Sequence, residues 1–344
     1  MSSELSLRSR LRTGPLVSVL MPFRDAAATV EEAARSILAQ DEVDLELVAI
    51  DDDSRDDGSH RVRALGARDP RVSIVPAAGR GIVAALRTGL AHARGDVIAR
   101  MDADDVSLPG RLARQVAALQ GDPRLGAVGV RVGLEGTYGE GLRVYVDWQN
   151  GIVTPEDHAR EIFVESPLCH PSTALRRAAL EIAGGWQDRP WAEDCDLWLR
   201  LDAAGWRLAK VPEVLLVWRH IDGRATFADP RYALTRFTEA RAHYLAPRVV
   251  RAARPLAIWG AGPTGRRLAR AIEVHGVRTD LFVDIDPRKV GRTARGAAIV
   301  GPQALRAGEH TVLVGVGARG ARALIRAKLV AMGFEEGPDF VCAA

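Results

Sequence analysis

Cysteine is scarce in this chain. The 344 residues hold three, Cys169, Cys195 and Cys342. They are scattered, odd in number and without zinc-ligand spacing, which excludes a disulfide scaffold and fits a reducing cytoplasm. No apolar run approaches the ~20 residues that a transmembrane span needs, and the N-terminus has no apolar leader-like stretch. Excess charge is lacking too. The formal net charge is +3, so composition implies no nucleic-acid partner. Arg8, Arg10 and Arg12 make the N-terminus basic. A disordered, solvated tail over residues 1–15 is one reading; peripheral contact with an anionic membrane is the other.

What is present is an ordinary globular composition, 47% hydrophobic, with a length that suggests two domains. Leu16–Met21, ended by Pro22, reads as a buried strand, and Leu45–Ile50 as a second. Val72–Val75 and Val97–Ala99 follow, with helical apolar spacing between each pair. Gly79-Arg80-Gly81 opens the helix before the fourth strand. Strands alternating with helices predict a mostly parallel sheet covered on both faces, an α/β fold in which ligands bind beyond the carboxyl ends of the strands.

Two acidic clusters stand at such ends: Asp51-Asp52-Asp53 after the second strand, and Asp102-Ala103-Asp104-Asp105 after the fourth. Carboxylates this close repel one another unless something positive neutralises them. Hard divalent cations, Mg²⁺ or Mn²⁺, take oxygen ligands and bridge carboxylates to substrate phosphates. The plainer reading is a pair of solvated turns that cap the following helices.

The surrounding residues carry a resemblance. Val17–Pro22 with Ser36–Gln40, then Val48–Ser54 with Asp57-Gly58-Ser59, then Ala91–Asp96 leading into Asp102–Asp105 with Pro109 and Leu112, occur in the order seen in the family 2 glycosyltransferases. His170-Pro171-Ser172, Gly184-Gly185-Trp186 and Glu193–Leu201 continue it, so that it covers roughly residues 16–225. Arg24 and Asp25 depart from it, standing where the family carries an aromatic and Asn. The resemblance implies a GT-A nucleotide-sugar fold and inverting transfer of a sugar from a nucleoside diphosphate, probed first as UDP-linked, to a sugar or lipid-linked acceptor. It implies that Asp104, with Asp102 nearby, holds the cation; His220 would complete the metal shell or touch the diphosphate. Pro22, Asp51, Asp52, Arg80 and Asp102 would contact the nucleotide sugar. Asp194 would be the catalytic base, supported by Glu193. Flat aromatic faces suit sugar C–H faces, so Trp186 and Trp191 would floor the acceptor subsite, with His170 in a loop near it. For the aromatics a core role, for His220 a surface position and for Glu193 and Asp194 a plain helix start are the alternatives. A nucleotidyltransferase or a nucleotide sensor are the competing functions.

Residues 131–165, with Gly133, Gly136, Gly139 and Gly141, read as an acceptor loop or a connecting hairpin, and Pro230–Val250 as an Arg-rich helix whose basic face is solvated or, as the alternative, holds acceptor phosphates. From Pro255 the pattern restarts. Leu256–Trp259 leads into Gly260-Ala261-Gly262-Pro263-Thr264-Gly265, and Leu281-Phe282-Val283 ends at Asp284. That spacing matches a dinucleotide fingerprint, with Gly260, Gly262 and Gly265 at the turn and Asp284 placed for a ribose hydroxyl. NAD(P) is the cofactor it would admit; a tight turn without a ligand explains the same glycines, and the segment has no Tyr for redox chemistry. The expected organisation is a GT-A domain over 16–228, a helical linker over 229–254 and a small Rossmann-like α/β domain over 255–344.

Overall fold

A computed structural model describes residues 15–220 and 229–344. The tail expected over 1–15 therefore lies outside the described residues, apart from Pro15. Contacts divide the chain into two compact units. One holds the residues up to 158 with 167–188 and 200–225; the other holds 159–166, 189–199 and 226–344. Segments 159–166 and 189–199, expected inside 16–228, thus group with the C-terminal residues.

The first unit is built on an eight-stranded sheet. Its strands are β1 (Val17–Phe23), β2 (Leu45–Asp51), β3 (Val72–Pro76), β4 (Val97–Arg100), β5 (Val106–Ser107), β6 (Leu125–Gly136), β7 (Ala174–Arg176) and β8 (Arg207–His220), in the order β3-β2-β1-β4-β7-β6-β8-β5. β1 is buried along its whole length, as expected of a central strand covered on both faces. Its register with β2 runs from Val17 opposite Leu45 to Phe23 opposite Asp51. β4 also pairs parallel with β1. β7 is antiparallel to β4 and to β6, while β8 runs parallel to β6. Two reversals cancel, so the carboxyl ends of β1, β2, β4, β6 and β8 all lie at one edge. That edge receives Asp51, the acidic stretch after Arg100, and His220.

Helices α1 (Val30–Leu38), α2 (Gly58–Gly66), α3 (Ile82–His92) and α4 (Arg111–Gly121) follow the early strands. α1 buries Val30, Ala33, Ala34 and Ile37, one face at helical spacing. At Gly95, a Cβ would sit 2.5 Å from the Leu16 carbonyl and 2.7 Å from the Ser18 nitrogen, so the turn into β4 needs glycine.

Residues 131–165 are neither a loop nor a hairpin. β6 runs on to Gly136, and two helices follow, α5 (Glu140–Gly151) and α6 (Pro155–Glu161). The glycines misled because they serve different ends. Gly136 has φ +102°, and a Cβ there would stand 2.5 Å from the His220 carbonyl, whereas Gly139 is the residue before α5.

The second unit has a six-stranded sheet of β9 (Leu256–Trp259), β10 (Leu281–Val283), β11 (Thr293–Ala294), β12 (Ala297–Val300), β13 (Thr311–Val314) and β14 (Phe340–Cys342), in the order β11-β12-β10-β9-β13-β14. All pairings are parallel except β11 with β12. Short helix α7 (Arg177–Ile182) belongs to the first unit, and α8 (Glu193–Ala203) opens in a segment of the second, which also holds α9 (Leu234–Ala252), α10 (Pro263–Glu273) and α11 (Ala321–Ala331). The basic face expected of the linker helix is not all solvated. Arg241 of α9 is buried, donating to the carbonyls of Val164 and, at 3.2 Å, Ala343.

Candidate functional site

The β2 end is stapled to the β1 end. Asp25 and Asp53 both take left-handed backbone conformations, φ +49° and +62°, which short polar side chains tolerate best after glycine. Asp25, like the Asn it stands for, is a residue type suited to that conformation. Its carboxylate accepts the Arg55 N–H at 2.7 Å, and Asp56 accepts the Ala27 N–H at 2.7 Å. Asp51 accepts from the Ser54 N–H at 2.9 Å and from the Ser59 hydroxyl. Burial works against its ionisation, but the Ser59 and Ser54 donors outweigh it and hold the carboxyl below the usual range. Asp51 is therefore engaged in shaping the turn. Asp52 is mostly buried, and both its oxygens lie at 3.0 and 3.1 Å from the Gly81 N–H. Arg80 pairs with Asp53 at 2.8 Å on an exposed rim, and Pro22 is buried within β1.

After β4 the chain turns into the acidic stretch. Ligand oxygens of Asp102, Asp104 and Asp105 lie within 4.8 Å of one another. Asp102 is held by the nearly buried Arg100 guanidinium at 2.5 Å. Asp105 is fully buried and accepts the Arg219 N–H at 3.0 Å. The Arg219 guanidinium is in turn clamped between Glu32 at 2.6 Å and Glu135 at 2.9 Å. His220, expected in the metal shell, ends β8 beside Arg219 but is not in this carboxylate group. A donor set of three carboxylates is all hard oxygen, which fits Mg²⁺ or Mn²⁺ and not a thiolate- or imidazole-preferring ion.

Beneath the acidic loop lies a residue the sequence reading passed over. Arg111, the first residue of α4, is fully buried. It donates to the Arg100 carbonyl at 2.8 Å, the Pro171 carbonyl at 2.7 Å and the Gln115 side chain at 3.2 Å. Burial lowers its pKa to about 10, while the negative charge of Asp105 acts in the other direction. Gln115 bonds the carbonyls of Val128 and Ser172. Together they tie the loop after β4 to the His170–Ser172 turn. A cation in the first turn of a helix opposes the helix dipole, and that conflict was the available signal.

Trp186 and His170 come together, but as core. Trp186 is 1% exposed and donates its indole N–H to His170 Nε2 at 3.0 Å. The acceptor-floor expectation for Trp186 is corrected accordingly, since a ring buried on both faces has no face to offer a sugar. His170 is likewise buried.

In the second unit, Glu193, Asp194 and Asp196 occupy the first turn of α8. Their environments differ. Asp196 is fully buried, accepting from the Trp191 indole at 2.8 Å and the Tyr244 hydroxyl at 2.7 Å. Trp191 is thereby a buried anchor, not an open platform. Glu193 is 2% exposed and lies 3.2 Å from the Tyr232 hydroxyl through both oxygens. Burial, with the charges of Glu193 and Asp194, pushes the Tyr232 phenol above its ordinary range. Asp194 alone of the three is half-buried, accepting from the Cys195 N–H at 2.7 Å and the Ser166 hydroxyl at 3.3 Å.

At the end of β9, Gly260 has φ +116°, and a Cβ on Gly265 would stand 1.8 Å from the Gly260 carbonyl oxygen. Asp284 accepts from Ala261 N–H and Asp286 N–H, both at 3.0 Å, and pairs with Lys289 at 2.9 Å. Burial opposes ionisation of Asp284, but Lys289 and these amides outweigh it, and its pKa is lowered. The carboxylate thus braces the glycine turn.

Comparison with known proteins gives the family and the fold. Residues 18–182 match the model of glycosyl transferase family 2. The chain is 31% identical over 211 residues to the putative glycosyltransferase EpsE of Bacillus subtilis, covering 60% of this chain and 73% of that one. It is 29% identical over 136 residues to the amylovoran biosynthesis glycosyltransferase AmsE of Erwinia amylovora, covering 40% of this chain but only 49% of the relative. The structure of S. aureus TarS 1-349 in complex with UDP-GlcNAc superimposes with a TM-score of 0.54 at 14% identity, over 75% of this chain and 72% of that one, a likeness of fold. From the ordered strand ends, the acidic loop and these matches together, the chain belongs to glycosyl transferase family 2 and is a glycosyltransferase of GT-A fold.

Proposed function

We propose that this glycosyltransferase moves a sugar, with inversion, from a UDP-linked donor to an acceptor hydroxyl in the assembly of a surface polysaccharide or glycoconjugate. The observation that carries the reading is the carboxylate group of Asp102, Asp104 and Asp105 at the edge where β2 also delivers Asp52. Asp104, with Asp102, is the proposed cation ligand, and Asp105 supports the loop from below. A divalent cation bound there would act as a Lewis acid, neutralising the diphosphate leaving group. Asp52 would accept the imide N–H that a uracil base presents. Asp194, the half-buried carboxylate at the start of α8, is the proposed base that takes the acceptor hydroxyl proton. The names of the amylovoran biosynthesis glycosyltransferase AmsE and the O-antigen biosynthesis protein RfbC of Myxococcus xanthus support the polysaccharide setting. Residues 255–344 are read as a Rossmann-like domain outside the chemical step. No helix among the described residues is long and apolar enough to cross a membrane; a cytoplasmic enzyme with peripheral membrane contact is the setting proposed.

The test is calorimetric titration of UDP with Mn²⁺ or Mg²⁺ into the wild-type chain and Asp104→Asn. Cation-dependent binding that disappears in the variant supports the reading. Equal nucleotide affinity in excess chelator overturns its metal part.

A further inference from the structure

We propose that the C-terminal unit carries a second ligand site, separate from sugar transfer, that takes a nucleoside phosphate. A cavity of about 440 Å³ lies at the carboxyl ends of β9, β10 and β13. That volume falls among small-molecule pockets, roughly 300–1,000 Å³. One part of its wall is apolar, from Trp259, Ile285, Val316 and Leu324; another carries the cation Lys328 beside the Lys289–Asp284 ion pair. An apolar slot beside positive charge suits a flat base joined to a phosphate.

The glycines divide into two kinds, and the division points to an occupant. Gly260 and Gly265 are required by the fold itself: one has φ +116°, and a Cβ on the other would collide with a carbonyl at 1.8 Å. Gly262 and Gly317 have no such reason. Gly262 has φ −82° and ψ −174°, extended backbone that any residue adopts, and a Cβ there would meet nothing within 4 Å. A Cβ on Gly317 would meet only Thr264 Oγ1, at an ordinary 3.6 Å. Both line the cavity. Internal packing leaves them unexplained, and what their bareness does is keep the backbone of both turns open to the cavity. Close approach to backbone N–H groups at a glycine turn is how proteins hold phosphate. Asp284, occupied by Lys289 and two amides, braces the turn, so the phosphate contacts and the apolar slot supply the recognition.

The test uses the full chain in chelator and in the Asp104→Asn background, which removes cation-dependent binding at the acidic loop. ADP, NAD⁺ and inorganic phosphate are titrated by calorimetry. At least one nucleotide is expected to bind saturably and more tightly than phosphate. Gly262→Val and Lys328→Gln are each expected to weaken it at least tenfold without lowering the melting temperature of the unliganded chain. Gly262→Val in the otherwise wild-type chain is expected to keep its sugar-transfer rate. Lack of binding by both nucleotides, affinity for phosphate equal to theirs, or unchanged affinity in both variants would overturn the proposal. None of these outcomes bears on Asp104 or the glycosyltransferase reading.

Discussion

The backbone N–H of Arg219 donates to the buried carboxylate of Asp105 at 3.0 Å. Two consecutive acids, Asp104 and Asp105, therefore have different work. Asp105 is a buried acceptor joining the acidic loop to β8, while Asp104 is partly open.

Asp105→Asn is accordingly expected to lower stability, by about 1–3 kcal/mol for a disturbed buried hydrogen-bond partner, and to weaken Mn²⁺ affinity as well. Asp104→Asn is expected to weaken Mn²⁺ affinity alone. Urea denaturation beside Mn²⁺ titration separates the two; equal stability losses would refute the division.

The proposed base gives a sharper contrast. Asp194→Asn keeps volume and removes proton acceptance, so the transfer rate is expected to fall about 10²–10⁴-fold, roughly 3–5 kcal/mol of barrier. Donor affinity is expected to change little. Glu193→Gln, whose carboxylate faces Tyr232, is expected to cost less in rate. A near-wild-type rate in Asp194→Asn, or loss of donor binding as complete as in Asp104→Asn, would remove the assignment.

What the sequence disclosed and what it hid have a physical pattern. Strand ends followed by acids are local features, and the parallel α/β sheet, the Asp102–Asp105 cluster and the restart at Pro255 were legible from them. Arg241 was not, because an arginine in an amphipathic pattern looks solvated until a distant carbonyl arrives to satisfy it; Arg111 gave only its misfit with the helix dipole as a sign. Trp186 and Trp191 were ambiguous for the opposite reason. A large ring suits a sugar or a core equally, and only the partners, His170 and Asp196, decide. The two helices after β6 were obscured because Gly136 answers to a carbonyl on β8, far along the chain.

Lys210 sets a pH dependence. It is buried in β8, donating to the Gln149 carbonyl and lying 3.4 Å from that of Pro167. Burial lowers its pKa from 10.5 to about 7. Between these values the unfolded chain binds the proton and the folded chain does not, so stability rises with pH. The burden is full below about 7 and is relieved as pH climbs towards 10.5. Lys210→Met is expected to be most stabilising, relative to wild type, at pH 6, with the difference shrinking by pH 10. Guanidinium melts of both chains across that range provide the check, and a difference independent of pH would rule the effect out.

Gly265 packs against Gly260, and a Cβ on Gly315 would stand only 2.8 Å from the Gly265 Cα. Three backbones meet there with no side chain between them. The Gly260 amide donates to Val283 at 2.7 Å and the Gly315 amide to Trp259 at 2.9 Å, joining β9 to both its neighbours. Such a junction cannot loosen by rotating a side chain; it opens only when the strands part. In deuterium oxide these two amides should therefore retain their protons about as long as the unit as a whole stays folded, while the ends of α11 exchange early.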